Sequence, residues 1–197
     1  MIVIGVTGGI GTGKSEVSKI LEELGAVVID ADKVGHSIYL PDTPGWQEII
    51  EAFGEDLMGE DRHIDRSKLG PIVFGNPEAL ATLNSITHPK IRQRLIELTE
   101  ENRGEGSKAV AIEAAILIEA GWVDIVDEVW VTAAQSETAV DRVSKRNNMP
   151  PEQVRARIES QMPQDERLKH ATVVVTNDGD LGSLREQLNK LWTERIQ

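Results

Sequence analysis

Residues 1–16, MIVIGVTGGIGTGKSE, decide the fold. The apolar run from Ile2 to Val6 predicts a buried strand, and the segment from Gly8 to Ser15 satisfies G-x-x-x-x-G-K-[ST], the pattern of a phosphate-binding loop. An amphipathic helix follows, with apolar residues at helical spacing: Val17, Ile20, Leu21 and Leu24. The order strand, loop, helix is the context that separates a working loop from a chance match, such as a glycine-rich hairpin followed by a surface lysine.

Each residue type in this loop has a physical task. Glycines adopt backbone angles that are closed to residues with a Cβ, so successive N–H groups can turn inward around an anion. Lys14 can reach the β- and γ-phosphates of a nucleotide, and the Ser15 hydroxyl can ligate Mg²⁺. The sequence therefore predicts a nucleoside triphosphate site whose residues follow one another along the loop: Gly8, Gly9, Ile10, Gly11, Thr12, Gly13, Lys14, Ser15 and Glu16.

The same glycines can be compared with the dinucleotide-binding pattern G-x-G-x-x-G. Started at Gly9 and Gly11, that pattern requires a third glycine where Lys14 stands. The sequence therefore argues against a Rossmann-type dehydrogenase.

Length and composition bound the class of protein. A chain of 197 residues suits one domain, with room for an inserted subdomain. The absence of cysteine excludes disulfides and thiolate metal sites and fits a reducing compartment. No apolar run approaches the roughly 20 residues of a membrane span, and the first apolar stretch lacks a basic leader. We therefore expect a cytoplasmic protein without a membrane partner.

The chain is acidic overall but contains one basic stretch. A formal net charge of −12 argues against a nucleic-acid partner, because phosphate backbones are bound through basic surfaces. Glu152 is the only acid in the segment 142–157, which holds five cationic residues: Arg142, Lys145, Arg146, Arg155 and Arg157. Any one of these residues taken alone is typical of a solvent-exposed helix face. The cluster as a whole, in an otherwise acidic chain, predicts a group of side chains that binds phosphate.

The remainder of the chain alternates strands with helices. Short apolar runs predict four further strands, at residues 26–29, 109–112, 128–132 and 172–175. This alternation indicates an α/β fold with a five-stranded parallel sheet. Residues 41–102 are helical in pattern, and new helices are expected to start at Asp65 and at His88-Pro89. The chain ends in an amphipathic helix.

Acidic residues stand at the ends of two predicted strands. Asp30 and Asp32 follow the second strand, and ligands of open α/β sheets bind beyond the carboxyl ends of the strands, so we expect these carboxylates to face the phosphate loop. One of them can accept the proton of a substrate hydroxyl, and one of them can equally well cap a helix. Glu113, at the end of the third strand, fits either another acid of the nucleotide site or a helix cap.

The chain resembles the dephospho-CoA kinase family over most of its length. The resemblance rests on the order and spacing of six segments: VTGGIGTGKS at 6–15, IDAD at 29–32, IDRSKLGPIVFGNP at 64–77, ITHPKIR at 86–92, DRVSKRN at 141–147 and RARIESQM at 155–162. It implies a P-loop kinase-like three-layer fold with a helical substrate-binding insertion and a lid. In this family the γ-phosphoryl group of ATP passes to the ribose 3′-hydroxyl of dephospho-CoA, the last step of coenzyme A synthesis.

The resemblance also implies a division of labour along the chain. A single kinase domain would comprise a nucleotide-binding core of residues 1–33, 107–136 and 170–197, a helical CoA-substrate region of residues 34–106 and a lid of residues 137–169. Asp32 would be the catalytic base, while Lys14 and Arg142 would stabilise the transferring charge. Arg146 and Asn177 would bind ATP, Ser15 would hold Mg²⁺, and Thr7 and His88 would contact the acceptor with Asp32.

Three positions depart from the family pattern. Glu16 stands where Ser or Thr usually follows the loop, AILIE at 115–119 replaces P-L-L-F-E, and Ala171-Thr172 replaces Ala-Asp. The last departure assigns no acid role to Thr172.

Two alternative functions follow from the same loop. Another small-molecule P-loop kinase would share loop, lid and insertion but differ in the acceptor pocket. A nucleotide-gated switch would use D-x-x-G, matched by Asp56–Gly59, but this segment follows no apolar strand and the chain has no N-K-x-D. The sequence leaves the oligomeric state open.

Overall fold

The computed structural model describes residues 1–196. Within this range the strands are β1 (Ile2–Gly8), β2 (Val27–Asp30), β3 (Ala109–Glu113), β4 (Glu128–Ala133) and β5 (Val173–Thr176). The α-helices are α1 (Lys14–Glu23), α2 (Ala31–Ile38), α3 (Pro44–Phe53), α4 (Arg66–Phe74), α5 (Pro77–Gly104), α6 (Ser136–Asn147), α7 (Pro151–Glu159), α8 (Gln164–Leu168) and α9 (Leu181–Arg195). Two short 3₁₀ helices cover Glu55–Leu57 and Trp122–Ile125. None of the helices in residues 1–196 combines the length and apolar character that crossing a bilayer demands.

The five strands form one parallel sheet in the order β2-β3-β1-β4-β5, which confirms the predicted fold class. The first strand of the chain is the central one: Ile4 pairs with Ala111 of β3 on one side and with Glu128 of β4 on the other. β1 runs two residues beyond its predicted end and includes Gly8, so the phosphate loop leaves directly from the middle of the sheet.

The main hydrophobic core lies on one face of the sheet. Ile4 and Val6 of β1 project into it, because alternate residues of a strand share a face. α1 and α9 cover this face with side chains that are almost fully buried: Val17, Ile20, Leu21, Leu184, Leu188 and Trp192. On the opposite face, a Cβ at Gly5 would meet Leu117 and Val126, so the segment after β3 packs closely against the central strand.

The chain divides into two compact units, residues 1–29 with 99–196, and residues 30–98. The first holds the phosphate loop, and we call it the nucleotide unit. The second, the helical unit, has its own small core around Trp46, Ile49, Leu57 and Ile64. α3 contributes Trp46 and Ile49 to this core, and α4 starts after Asp65, whose carboxylate accepts a hydrogen bond from the Ser67 backbone N–H.

The predicted helix start at His88-Pro89 is wrong, because α5 runs through both residues. A proline inside a helix costs about 3 kcal/mol, since it lacks the N–H that would bond four residues back. The fully buried Leu95 and the nearly buried Ile91 lie beyond the proline, and each such burial contributes about 1.5–3 kcal/mol. Packing beyond the proline therefore outweighs the lost hydrogen bond, and the helix continues.

The basic segment 142–157 is divided between two helices, α6 and α7. α6 ends at Asn147, and Asn148 takes a left-handed backbone conformation that stops the helix. α7 begins with Pro151 at its first position, where a missing N–H costs no intrahelical hydrogen bond.

Candidate active site

The backbone of the phosphate loop is held in a conformation that only glycine accepts readily. Gly11 has φ 78° and Gly13 has φ 100°, in the left-handed region. A Cβ at Gly11 would lie 2.6 Å from the Ala139 carbonyl oxygen, and one at Gly13 would clash with Asn177 Nδ2. The loop therefore needs these glycines both for its curvature and for the close approach of α6 and Asn177.

Threonine hydroxyls form hydrogen bonds within the phosphate loop and at its base. Thr12 Oγ1 donates to the Gly9 carbonyl oxygen at 2.8 Å and lies 2.6 Å from Thr132 Oγ1 at the end of β4. Thr7 is fully buried, and its hydroxyl donates to the Ala115 carbonyl oxygen at 3.4 Å. In this structure Thr7 therefore supports the base of the loop, and its contact with the acceptor stays a prediction.

Lys14 places a positive charge over the start of the loop. Its Nζ donates to the Gly8 carbonyl oxygen at 2.8 Å and to the Gly9 carbonyl oxygen at 3.2 Å. The same residue begins α1, whose first N–H groups and positive dipole end favour a bound anion. Charge and N–H donors thus converge on one side of the loop.

Ser15 and Glu113 bring together two side-chain oxygens of the kind that a hard cation prefers. Ser15 Oγ donates to Glu113 Oε1 at 2.7 Å, so the Glu113 carboxylate bonds a side chain of the phosphate loop. Mg²⁺ takes one or two protein oxygens together with phosphate oxygens and water, and this pair fits that requirement. No cluster of three or more His, Asp or Glu side chains suited to a metal occurs in residues 1–196, so phosphate would have to supply the other ligands.

Asn177 connects the loop to the basic helix α6. Its side-chain Nδ2 donates to the Thr12 carbonyl oxygen at 2.9 Å, while its backbone carbonyl oxygen accepts from Arg142 Nη1 at 2.7 Å. Arg142 is thereby fixed beside the loop. These residues border a cleft of about 320 Å³ that is also lined by Gly13, Glu16, Gly179, Leu181 and Leu184.

The other members of the basic cluster have different surroundings. Arg155 forms an ion pair with Glu137 at 2.8 Å, and both side chains are largely exposed. Arg146 lies one turn after Arg142 on α6, and its Nε donates to the neighbouring Asn147 Oδ1 at 3.2 Å. The structure therefore brings Arg142 to the loop and leaves Arg146 on the surface of α6.

Two polar residues of the nucleotide unit were missed by the sequence reasoning. Arg167 of α8 is 2% exposed, and its guanidinium bonds Glu119 at 3.0 Å and the Ala115 carbonyl oxygen at 3.3 Å. Gln161 Oε1 accepts a hydrogen bond from the Ile10 backbone N–H at 2.9 Å. The segment RARIESQM pointed to the region of Gln161, but nothing in its letters indicated a contact with the loop.

In the helical unit, the two aspartates of IDAD have different settings. Asp30 caps α2, because its carboxylate accepts from the backbone N–H groups of Asp32 at 2.9 Å and Lys33 at 3.1 Å. The capping interpretation thus applies to Asp30. Asp32 lies in the first turn of α2 with an exposed side chain, and its carbonyl oxygen is 3.0 Å from His36 Nδ1.

His88 lies within α5, where partial burial lowers its pKa from the usual value. At neutral pH its imidazole is therefore uncharged and can donate or accept a hydrogen bond. A groove of about 560 Å³ runs along the same helix beyond His88 and is bordered by the end of α2 and the start of α3: Ser37, Ile38, Thr43, Pro44, Gly45, Pro89, Lys90, Gln93, Arg94 and Glu97.

Comparison with known proteins gives one consistent answer. The family model described as dephospho-CoA kinase matches residues 2–183. The dephospho-CoA kinase of Dehalococcoides mccartyi is 45% identical over 197 residues, which is 100% of this chain and 99% of the relative. That of Carboxydothermus hydrogenoformans is 43% identical over 94% of this chain and 90% of the relative. The solved dephospho-CoA kinase from Campylobacter jejuni superposes with a TM-score of 0.75 at 31% identity, covering 98% and 96% of the two chains.

Proposed function

The chain belongs to the dephospho-CoA kinase family, and from this premise we propose how its residues transfer the γ-phosphoryl group of ATP to the ribose 3′-hydroxyl of dephospho-CoA. The observation that carries the proposal is the phosphate loop at the end of the central strand, with Lys14 over its first carbonyls and the Ser15–Glu113 pair beside it. The product is coenzyme A, so the enzyme performs the last step of coenzyme A biosynthesis.

The nucleotide unit binds and polarises ATP. Phosphoryl transfer passes through a loose transition state, and catalysis depends mainly on positioning and on stabilising charge. The loop N–H groups and Lys14 hold the β- and γ-phosphates, while Arg142 adds a second cation whose position is fixed by Asn177. We assign the other side of the nucleotide to the cleft beside Asn177 and to Arg146.

The Ser15 and Glu113 oxygens are the groups that would hold Mg²⁺. The bound cation would neutralise charge on the β- and γ-phosphates. The preformed hydrogen bond between Ser15 and Glu113 keeps both oxygens in place at the loop.

The helical unit supplies the acceptor side of the reaction. We assign the catalytic base to Asp32, because the carboxylate of Asp30 is already used to cap α2. Asp32 would orient the 3′-hydroxyl and take its proton as the new bond forms. His88 and Thr7 would contact the acceptor, and the groove along α5 supports the binding of a long substrate within residues 34–106.

The lid of residues 137–169 would close over ATP and exclude water. Helices α6 and α7 of this segment share a small apolar cluster with the loop, in which Val140, Val143 and Val154 pack against Ile10. We place the enzyme in the cytoplasm with small molecules, and not nucleic acid, as partners.

A mass-spectrometric assay with ATP, Mg²⁺ and dephospho-CoA tests the proposed function. We expect a product heavier than the acceptor by one phosphoryl group and dependent on Mg²⁺. A panel of other hydroxyl acceptors in the same assay distinguishes this enzyme from other small-molecule P-loop kinases. Transfer to a different acceptor, with dephospho-CoA left unchanged, would contradict the assignment.

A further inference from the structure

Gln161, in the segment that follows α7, bonds the phosphate loop with a defined orientation of its amide. The bond joins Gln161 Oε1 to the Ile10 backbone nitrogen at 2.9 Å. A backbone N–H can only donate, so the carbonyl oxygen of the amide must face Ile10 and the NH₂ group must point elsewhere. One end of the Gln161 side chain is therefore fixed, and the donor end is directed by that contact.

The bond lies at the end of the loop where the γ-phosphate is expected. Ile10 follows Gly9, whose carbonyl oxygen accepts from Lys14 Nζ, and a lysine at this position of the motif reaches the β- and γ-phosphates. The amide lies directly beside Gly9, because a Cβ at Gly9 would be 3.4 Å from Gln161 Oε1. Gln161 is thus a neighbour of the γ-phosphate position rather than of the nucleoside.

The donor end of Gln161 has no hydrogen-bond partner among residues 1–196, because the bond to Ile10 is its single contact of this kind there. The side chain borders a cavity of about 140 Å³ together with Gly9, Ile10 and Thr12. Arg167 lines the same cavity, but its guanidinium is already paired with Glu119. The NH₂ group of Gln161 is consequently an uncommitted neutral donor beside the loop.

We propose that Gln161 is a catalytic residue, whose Nε2 donates a hydrogen bond to an oxygen of the γ-phosphoryl group while its Oε1 stays on Ile10. The proposal rests on the proposed function, since it assigns a role within that reaction. Charge spreads over the three equatorial oxygens during transfer, and a donor already held in position stabilises it without reorganisation. Binding of Gln161 to the loop also ties the lid segment to the group being transferred.

The test compares Gln161→Leu with Gln187→Leu in the full-length protein. Gln187 lies in α9 and has no hydrogen-bonded side chain within residues 1–196, so it is a matched control for losing an amide. We expect Gln161→Leu to lower kcat by roughly 100-fold, the scale of losing one transition-state donor. It should weaken binding of a non-hydrolysable ATP analogue about 10-fold while leaving ADP, which lacks the γ-phosphate, within about 2-fold of the wild type.

A second variant tests whether an acceptor for the Ile10 N–H is enough for catalysis. Gln161→Glu keeps an oxygen that can accept from Ile10 but replaces the NH₂ group with a negatively charged oxygen, so we expect it to be at least as slow as Gln161→Leu. Three results would each overturn the proposal. The first is recovery of kcat in Gln161→Glu, and the second is an equal loss of affinity for the ATP analogue and for ADP in Gln161→Leu. The third is a kcat of Gln161→Leu within about 2-fold of the wild type. The nucleotide titrations need no acceptor, so they judge Gln161 even if the wild type fails to phosphorylate dephospho-CoA.

Discussion

The nucleotide unit and the helical unit carry their chemistry in different ways. In the nucleotide unit the loop residues 8–16 are consecutive in sequence, and backbone carbonyls hold the two cations beside the loop: those of Gly8 and Gly9 hold Lys14, and that of Asn177 holds Arg142. In the helical unit the assigned residues Asp32 and His88 belong to separate helices, and the exposed Asp32 side chain lies in the first turn of α2. Phosphate recognition is thus built into a contiguous motif, whereas acceptor recognition depends on helix packing.

The largest expected effect is that of Lys14→Ala. This change removes the point charge that reaches the β- and γ-phosphates but leaves the backbone cradle intact, so turnover should fall by roughly 10³-fold or more. Lys19→Ala, on an exposed position of the same helix, is the matched control. Steady-state kinetics at saturating ATP and a melting curve check both variants. Wild-type turnover in Lys14→Ala would show that the loop works through its N–H groups alone.

On the acceptor side, the decisive comparison is between Asp32→Asn and Asp30→Asn. Asparagine keeps the size and one acceptor oxygen but cannot take a proton, so Asp32→Asn should lower kcat by roughly 10²- to 10⁴-fold with ATP binding unchanged. Asp30→Asn should remain active, because asparagine caps a helix as well as aspartate does. The reverse result would move the base to Asp30, and two active variants would mean that positioning and phosphate electrostatics suffice without a base.

The two units also differ in how far the sequence predicts them. The local sequence is enough to predict the loop, its strand and its helix. The φ preference of glycine, the helix dipole and the length of the lysine side chain are all properties of the motif itself. The path of α5 through Pro89 could not be predicted, since the burial of Leu95 that sustains it is a tertiary effect. Gln161 was missed for the same reason: its partner Ile10 is 151 positions away in the chain.

Arg142→Ala tests whether the arginine held by the Asn177 backbone carbonyl acts in catalysis or in ATP binding. Removing the guanidinium takes away a cation and frees the Asn177 carbonyl, so kcat should fall by about 10- to 100-fold, and more than ATP affinity does. Asn177→Ala keeps the cation and the backbone carbonyl that binds it but removes the side-chain bond to Thr12, so its kcat should fall less. Steady-state kinetics and nucleotide titration of both variants measure the changes in kcat and in ATP affinity. Loss of ATP affinity with intact kcat in Arg142→Ala would show that the arginine only docks the ground state.

The smallest effects come from matched helix caps in the two units. Asp180 caps α9, and hydrogen bonds from the Ser183 backbone and hydroxyl lower the pKa of its carboxyl group. In α4, the Ser67 hydroxyl and backbone lower the pKa of Asp65 in the same way. A carboxylate with a lowered pKa contributes to the free energy of unfolding at neutral pH, and the contribution is lost as the pH falls from about 4 through the folded-state pKa.

Because α9 buries Leu184, Leu188 and Trp192 in the main core, we expect Asp180→Ala to lower the melting temperature of the protein by about 2–4 °C at pH 7. α4 buries only Val73, so Asp65→Ala should instead speed amide hydrogen exchange within α4 and leave the melting temperature nearly unchanged. Asp180→Asn keeps the cap without the titration, so its stability should decline less steeply below pH 4. An equal fall in melting temperature for both alanine variants would show that the two helices contribute alike to global stability, despite their different burial.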